Sequence, residues 1–147
     1  MLGLMRRRLA PVVLIAVFAL LAPRPLGSAA RPHGAPRRCD VEAPADRAAK
    51  ELARTASTTA ETIAIDHGSS YAYTTLSRIR EYAPSVPITR AQARKGGEGA
   101  WLLAAAGTAN SYSVTAVAAD GDGYVLDRLP EGEIVRRGAV CGRQVGW

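Results

Sequence analysis

Aromatic side chains are scarce in this chain: its 147 residues include one Phe, two Trp and five Tyr, while 28 are Ala. The 48% hydrophobic content is therefore largely methyl groups, enough for the thin core of one domain. Acidic residues are missing from the first 39 positions, which carry seven of the 19 basic residues, so the formal net charge of +6 is concentrated at the start. From Asp40 to Trp147, twelve basic residues face thirteen acidic ones with no basic stripe among them. Placement outweighs the total, and nucleic-acid binding is excluded as the main function. The apolar stretch Leu9 to Leu21 has 13 residues and contains Pro11, short of the roughly 20 that a bilayer-spanning helix needs.

What stands at the start has the three parts of a secretory signal peptide over residues 1–30: Arg6-Arg7-Arg8, the apolar stretch, then Pro23, Pro25 and the small residues Gly27-Ser28-Ala29-Ala30. Cleavage near Ala29 or Ala30 predicts a secreted or cell-surface protein, and only an uncleaved signal would keep it in the membrane. Residues 31–45, with Pro32, Pro36 and Pro44, read as a proline-rich linker. Cysteine is also scarce. Cys39 and Cys141 are the only two, and an even count in an exported chain predicts a disulfide. It would close a loop of about 100 residues, worth about 4 to 5 kcal/mol in the chain-entropy model. Two thiols with His33 and His67 at unrelated spacings make no zinc set.

Residues 46–147 read as the folded domain. Ala49, Leu52, Ala56, Thr59, Ala60 and Ile63 recur in steps of three and four, which predicts a helix from about Asp46 to Asp66 with one stripe on a core. Arg47, Lys50, Glu51, Arg54, Thr58 and Glu61 occupy its other face. A short helix over Thr74 to Tyr82 is stopped by Pro84, and Arg94 to Gly99 reads as loop. Beyond it the period becomes two: Ala100 to Ala106, Ser111 to Ala119, Tyr124 to Leu129 and Ile134-Val135 are strands, separated by turns of hairpin length. The expectation is an α+β domain, a long N-terminal helix packed on a three- to four-stranded antiparallel sheet. Trp101 is expected in the core against the helix, and Trp147 docked on its own domain.

The order of these segments resembles the globular part of type IV pilins and of type II secretion pseudopilins. The resemblance rests on Asp46-Arg47-Ala48-Ala49-Lys50 opening an Ala-rich helix, Glu61 late in it, and the Asp66-His67-Gly68-Ser69-Ser70-Tyr71 turn. The strand Asn110 to Ala116, the Asp120-Gly121 turn and a cysteine close to the C-terminus complete it. It implies a pilin-like fold and protein partners in the cell envelope, in a pilus or in a secretion system. The N-terminal prepilin motif, a glutamate opening some 20 apolar residues continuous with the helix, is absent. Assembly through such an apolar helix is accordingly not expected.

No residues suggest catalysis or an organic cofactor. Asp66, His67, Ser69 and Ser70 are local neighbours at a helix end, where capping and turn chemistry account for them better than a triad does. Asp120-Gly121-Asp122-Gly123 resembles part of a calcium loop but lacks the closing glutamate, Asp127 being the nearest carboxylate after it. Asp120 and Asp122 therefore stand as a calcium candidate beside the plain reading as a hairpin turn. The expected function is that of an exported non-enzymatic domain acting by surface contact, as an accessory or minor component of a fibre or secretion apparatus. The alternative is a small secreted ligand-binding or inhibitory domain with an architectural likeness alone.

Overall fold

A computed structural model describes Cys39, residues 42–97 and residues 99–147; residues 1–30, where a signal peptide is expected, and most of the expected linker lie outside the described residues. The first helix, α1, spans Pro44–Asp66, opening two residues earlier than the apolar stripe indicates because Pro44 suits the first helical turn. Asp46 sits at the third helical position, where its Oδ2 accepts the Ala43 N–H at 3.0 Å and so holds the entering backbone. Ala49, Leu52, Ala53, Ala56, Thr59, Ala60, Ile63 and Ala64 are buried along one face. A single 3₁₀ turn, Tyr71–Tyr73, leads to α2, Leu76–Tyr82, whose Thr75 cap accepts the Arg78 N–H.

Arg90–Lys95 forms a further helix, α3, in place of the loop expected over its last two residues. Thr89 Oγ1 accepts the Gln92 N–H while Gln92 Oε1 accepts the Ile88 N–H, a reciprocal cap that fixes this short turn of helix.

Five strands follow: β1 Ala100–Gly107, β2 Tyr112–Ala118, β3 Gly123–Arg128, β4 Ile134–Val140 and β5 Arg143–Gly146. They form one antiparallel meander in sequence order, one strand more than the upper expectation of four. The α+β architecture with a helix on an antiparallel sheet is thus present. The α1 stripe covers β1, β2 and β3, meeting the buried row Tyr112, Val114, Ala116 and Ala118 of β2, whose Ser113, Thr115 and Val117 face the opposite side. Alanines along α1 let the helix approach closely.

Trp101 is not in the core, contrary to the sequence reading. Ala100 and Leu102 point at α1 and are fully buried, while Trp101 lies half-buried on the other face, paired with Val117 and covered by the Arg90 guanidinium at 5.6 Å. Leu103 is an extra residue in the β1–β2 register, a bulge that leaves it 56% exposed. Trp147 does dock on its own domain, donating from Nε1 to the Arg137 carbonyl at 3.0 Å with its ring edge-on to Tyr124. Among the described residues no helix is long and apolar enough to cross a membrane.

Candidate functional site

Two polar clusters lie along α1, one near each end. The C-terminal one is built on Glu61, half-buried on the helix flank. Its Oε2 accepts the Tyr71 hydroxyl at 2.5 Å and its Oε1 the Tyr112 hydroxyl at 3.1 Å, with Arg128 Nε 3.4 Å away. Ser57 Oγ lies 2.7 Å from the Tyr112 hydroxyl, and the Arg128 guanidinium stacks 4.8 Å over the Tyr71 ring. Helix, 3₁₀ turn, β2 and β3 each supply one part. Burial, followed by the Glu61 carboxylate, raises the Tyr71 hydroxyl above its ordinary pKa. Burial does the same to Tyr112, with the Glu61 charge adding to it, and pushes it up to about 12. Both hydroxyls therefore stay neutral donors at any ordinary pH. With every partner in place, this cluster can tie the helix to the sheet but offers neither nucleophile nor free base.

The residues singled out at the helix end are occupied by similar structural duties. Asp66 Oδ2 accepts the Tyr82 hydroxyl at 2.9 Å, His67 Nδ1 lies 2.8 Å from the Ile63 carbonyl, and Ser70 Oγ accepts the Ala72 N–H. Ser69 takes φ +65°, a left-handed turn position. They do not converge on a common point.

The N-terminal cluster contains the calcium candidate. The β2–β3 turn is closed by Gly121, at φ +101°, whose N–H donates to the Ala118 carbonyl, and by the Ala118 N–H donating to the Asp122 carbonyl. This turn carries Asp120 and Asp122 toward the start of α1. There a third carboxylate that sequence reasoning assigned to the helix alone, Asp46, joins them, and one oxygen from each of the three lies within 4.8 Å of the others. Asp46 and Asp122 are buried and Asp120 is exposed. Asp122 Oδ1 accepts the Cys141 N–H at 3.1 Å, and Asp120 Oδ1 the Asp122 N–H at 3.4 Å. The Tyr124 hydroxyl faces the same group, and burial followed by Asp46 raises its pKa.

Cys141 belongs to this corner too. It is bridged to Cys39 with a Cα separation of 6.1 Å, so the disulfide joins the chain ahead of α1 to the β4–β5 turn. The bridge agrees with an oxidising, extracellular setting. The signal for Asp46 in the sequence was local, an acidic residue two positions after a helix-opening proline; its approach to a turn more than seventy residues away left no trace there.

No protein-family model matches the chain, and no characterised protein or solved structure does so.

Proposed function

We propose that this chain is an exported, non-enzymatic domain of pilin-like fold that acts by surface contact, as an accessory or minor component of a fibre or secretion apparatus in the cell envelope. The observation that carries this reading is the two-sidedness of the sheet. One face is covered by α1, which packs on β1, β2 and β3. The other presents Trp101 beside Val117 and Thr115 beside Val125, with bulged Leu103 next to them, all partly open to solvent. A row of apolar and small side chains across neighbouring strands suits contact with another protein. The disulfide and the signal-like start support export.

The test is fractionation of the producing cells with antibody labelling, comparing the native chain with Leu103→Asp. The expected outcome is labelling of surface filaments or the cell envelope, lost in the variant while the secreted variant keeps its thermal midpoint. Retention of the native chain in the cytoplasm, or envelope labelling unchanged by Leu103→Asp, overturns the reading.

A second reading, the small secreted ligand-binding or inhibitory domain, has one observation in its favour. A cleft of about 420 Å³ opens at the end of the sheet, lined by Ser111, Tyr112, Asp127, Arg128 and Arg137. Arg137 is paired there with Asp127, so a ligand would have to displace that ion pair.

A further inference from the structure

We propose that the cleft at the end of the sheet binds a free α-amino acid with an apolar side chain, its ammonium group on Asp127 and its carboxylate on Arg137. The proposal rests on the ligand-binding reading for its site and supplies the class of ligand.

The cleft, of about 420 Å³, falls within the roughly 300–1,000 Å³ usual for small-molecule sites. Its floor is the sheet face turned away from α1, where Ala106, Ser113 and Asp127 stand in register across β1, β2 and β3. Ala106 and Ser113 are small, so the floor lies low between its walls. One wall is the β1–β2 turn, folded on Thr108, whose Oγ1 accepts the Asn110 and Ser111 N–H groups. The other is Leu129 with Pro130. Arg128 fastens the two: one guanidinium nitrogen, Nη1, donates to the Asn110 carbonyl at 3.2 Å and to the Leu129 carbonyl at 3.3 Å, while Nε faces Glu61. The shape is thus built before any ligand arrives, which removes an ordering penalty from binding.

The Asp127–Arg137 ion pair selects the ligand. Its members are unequally held, the Asp127 side chain being 13% exposed and that of Arg137 61%. Asp127 is fixed on the floor and needs a cation beside it, whereas Arg137 carries its charge on a long stem in solvent and can swing aside. A carboxylate alone would draw Arg137 away and strand Asp127 without a counter-charge. An amine alone would satisfy Asp127 but set Arg137 loose, exchanging one pair for another. A zwitterion replaces one pair with two, ammonium on Asp127 and carboxylate on the guanidinium, which can grip it bidentately. An uncharged ligand would lie beside the closed pair and draw nothing from either charge. The Ser113 hydroxyl, opposite Asp127, can accept from the same ammonium. Ala106, Leu129 and Pro130 leave an apolar surface for the ligand's side chain, which points to an amino acid such as leucine.

The experiment follows the backbone amide shifts of the full-length oxidised chain at about pH 7 as leucine is added. Three companion probes are 3-methylbutylamine, which lacks the carboxylate, 4-methylpentanoate, which lacks the ammonium, and glucose. Leucine is expected to give saturable shifts at Ser113, Asp127 and Leu129, with a Kd at least about tenfold below that of the amine. The carboxylate is expected to give none. Asp127→Asn is expected to abolish leucine binding. Arg137→Gln alters an exposed side chain, so it should keep the native Tm while erasing leucine's advantage over the amine. Equal affinity for leucine and the amine, or an advantage undiminished in Arg137→Gln, overturns the proposal. Saturable shifts with glucose and none with leucine overturn the amino-acid assignment and leave the ligand-binding reading standing. Silence of the cleft toward all four probes overturns the proposal and removes the support that the cleft lends that reading.

Discussion

The two polar clusters on α1 stand fifteen residues apart, at opposite ends of about 22 Å of helix, and solve opposite problems. At Glu61 a single carboxylate meets two tyrosine hydroxyls and a guanidinium, so each of its oxygens has a donor. At Asp46 three carboxylates converge, one from the helix and two from the β2–β3 turn. Both clusters join the helix to the sheet across long sequence separations. The first does so with groups whose protonation is pinned by burial, and it is complete as protein. The second draws like charges together at the helix start. Polar groups beside a core thus gather in two ways: the Glu61 end pairs unlike groups, and the Asp46 end brings like ones together.

The largest expected effect breaks the Asp46 end. Replacing both cysteines, Cys39→Ser with Cys141→Ser, should lower stability by about 3 to 4 kcal/mol, since the bridge closes a loop of 102 residues. The measurement is the urea midpoint of the double variant against the native oxidised chain. An unchanged midpoint would mean that the corner holds itself without the bridge.

A slightly smaller loss is expected at the Glu61 end, from Gly107→Ala. A Cβ built there would lie 1.9 Å from the Tyr71 carbonyl oxygen and 2.8 Å from its carbon, so the 3₁₀ turn carrying Tyr71 must move. A backbone clash of this kind should cost about 3 kcal/mol and also pull the Tyr71 hydroxyl from Glu61. Thermal denaturation tests the first part, and loss of the raised Tyr71 pKa in a spectroscopic titration tests the second.

The helix stripe and the β2 alternation were legible because each is a local period. The positions from Ala49 to Ile63 repeat every three to four residues, and Tyr112, Val114 and Ala116 every two, whatever lies around them. β5 was not legible, since Arg143–Gly146 has four exposed residues and no alternation to reveal it; its backbone pairing with β4 makes it a strand. The face of Trp101 depended on phase. A bulky indole suggests a core, but Leu102 next to it takes the buried side, and a one-residue shift exchanges the faces. α3 did leave a signal, Thr89-Arg90-Ala91-Gln92, a capping pattern outweighed by the glycines after it. The candidate site was half legible. Asp120 and Asp122 share a turn, whereas Asp46 reaches them only because α1 packs across the sheet in this register.

Between the two ends, close packing of α1 can be tested directly. Ala56 is fully buried against the sheet, so Ala56→Leu should overpack the contact and cost about 2 kcal/mol. Thr58, exposed two residues on, should tolerate the same replacement within about 0.5 kcal/mol. Equal shifts in urea midpoint for the two variants would show that the helix is not seated by its alanine face, and both end clusters would then have to carry the docking.

The smallest effect sharpens the contrast through pH. Tyr112 ionises near 10 when unfolded and at about 12 when folded, because burial beside Glu61 disfavours its anion. A proton held more tightly in the folded state costs that state stability only once the unfolded chain begins to lose its own. The cost of keeping Tyr112 neutral is therefore absent below pH 10, and the folded state loses stability as pH rises from about 10 toward 12. In Tyr112→Phe there is no proton to lose, so this share of the alkaline loss disappears. At pH 8 the variant should be less stable than the native chain by about 1 kcal/mol, the worth of the hydroxyl's bonds to Glu61 and Ser57. At pH 11 the gap should shrink by about 1 kcal/mol and nearly close. Urea midpoints of both proteins at the two pH values measure it. A gap that stays constant from pH 8 to 11 would show that Tyr112 is not held neutral by its surroundings, and Glu61 would then lose its standing as the fully partnered end of the helix.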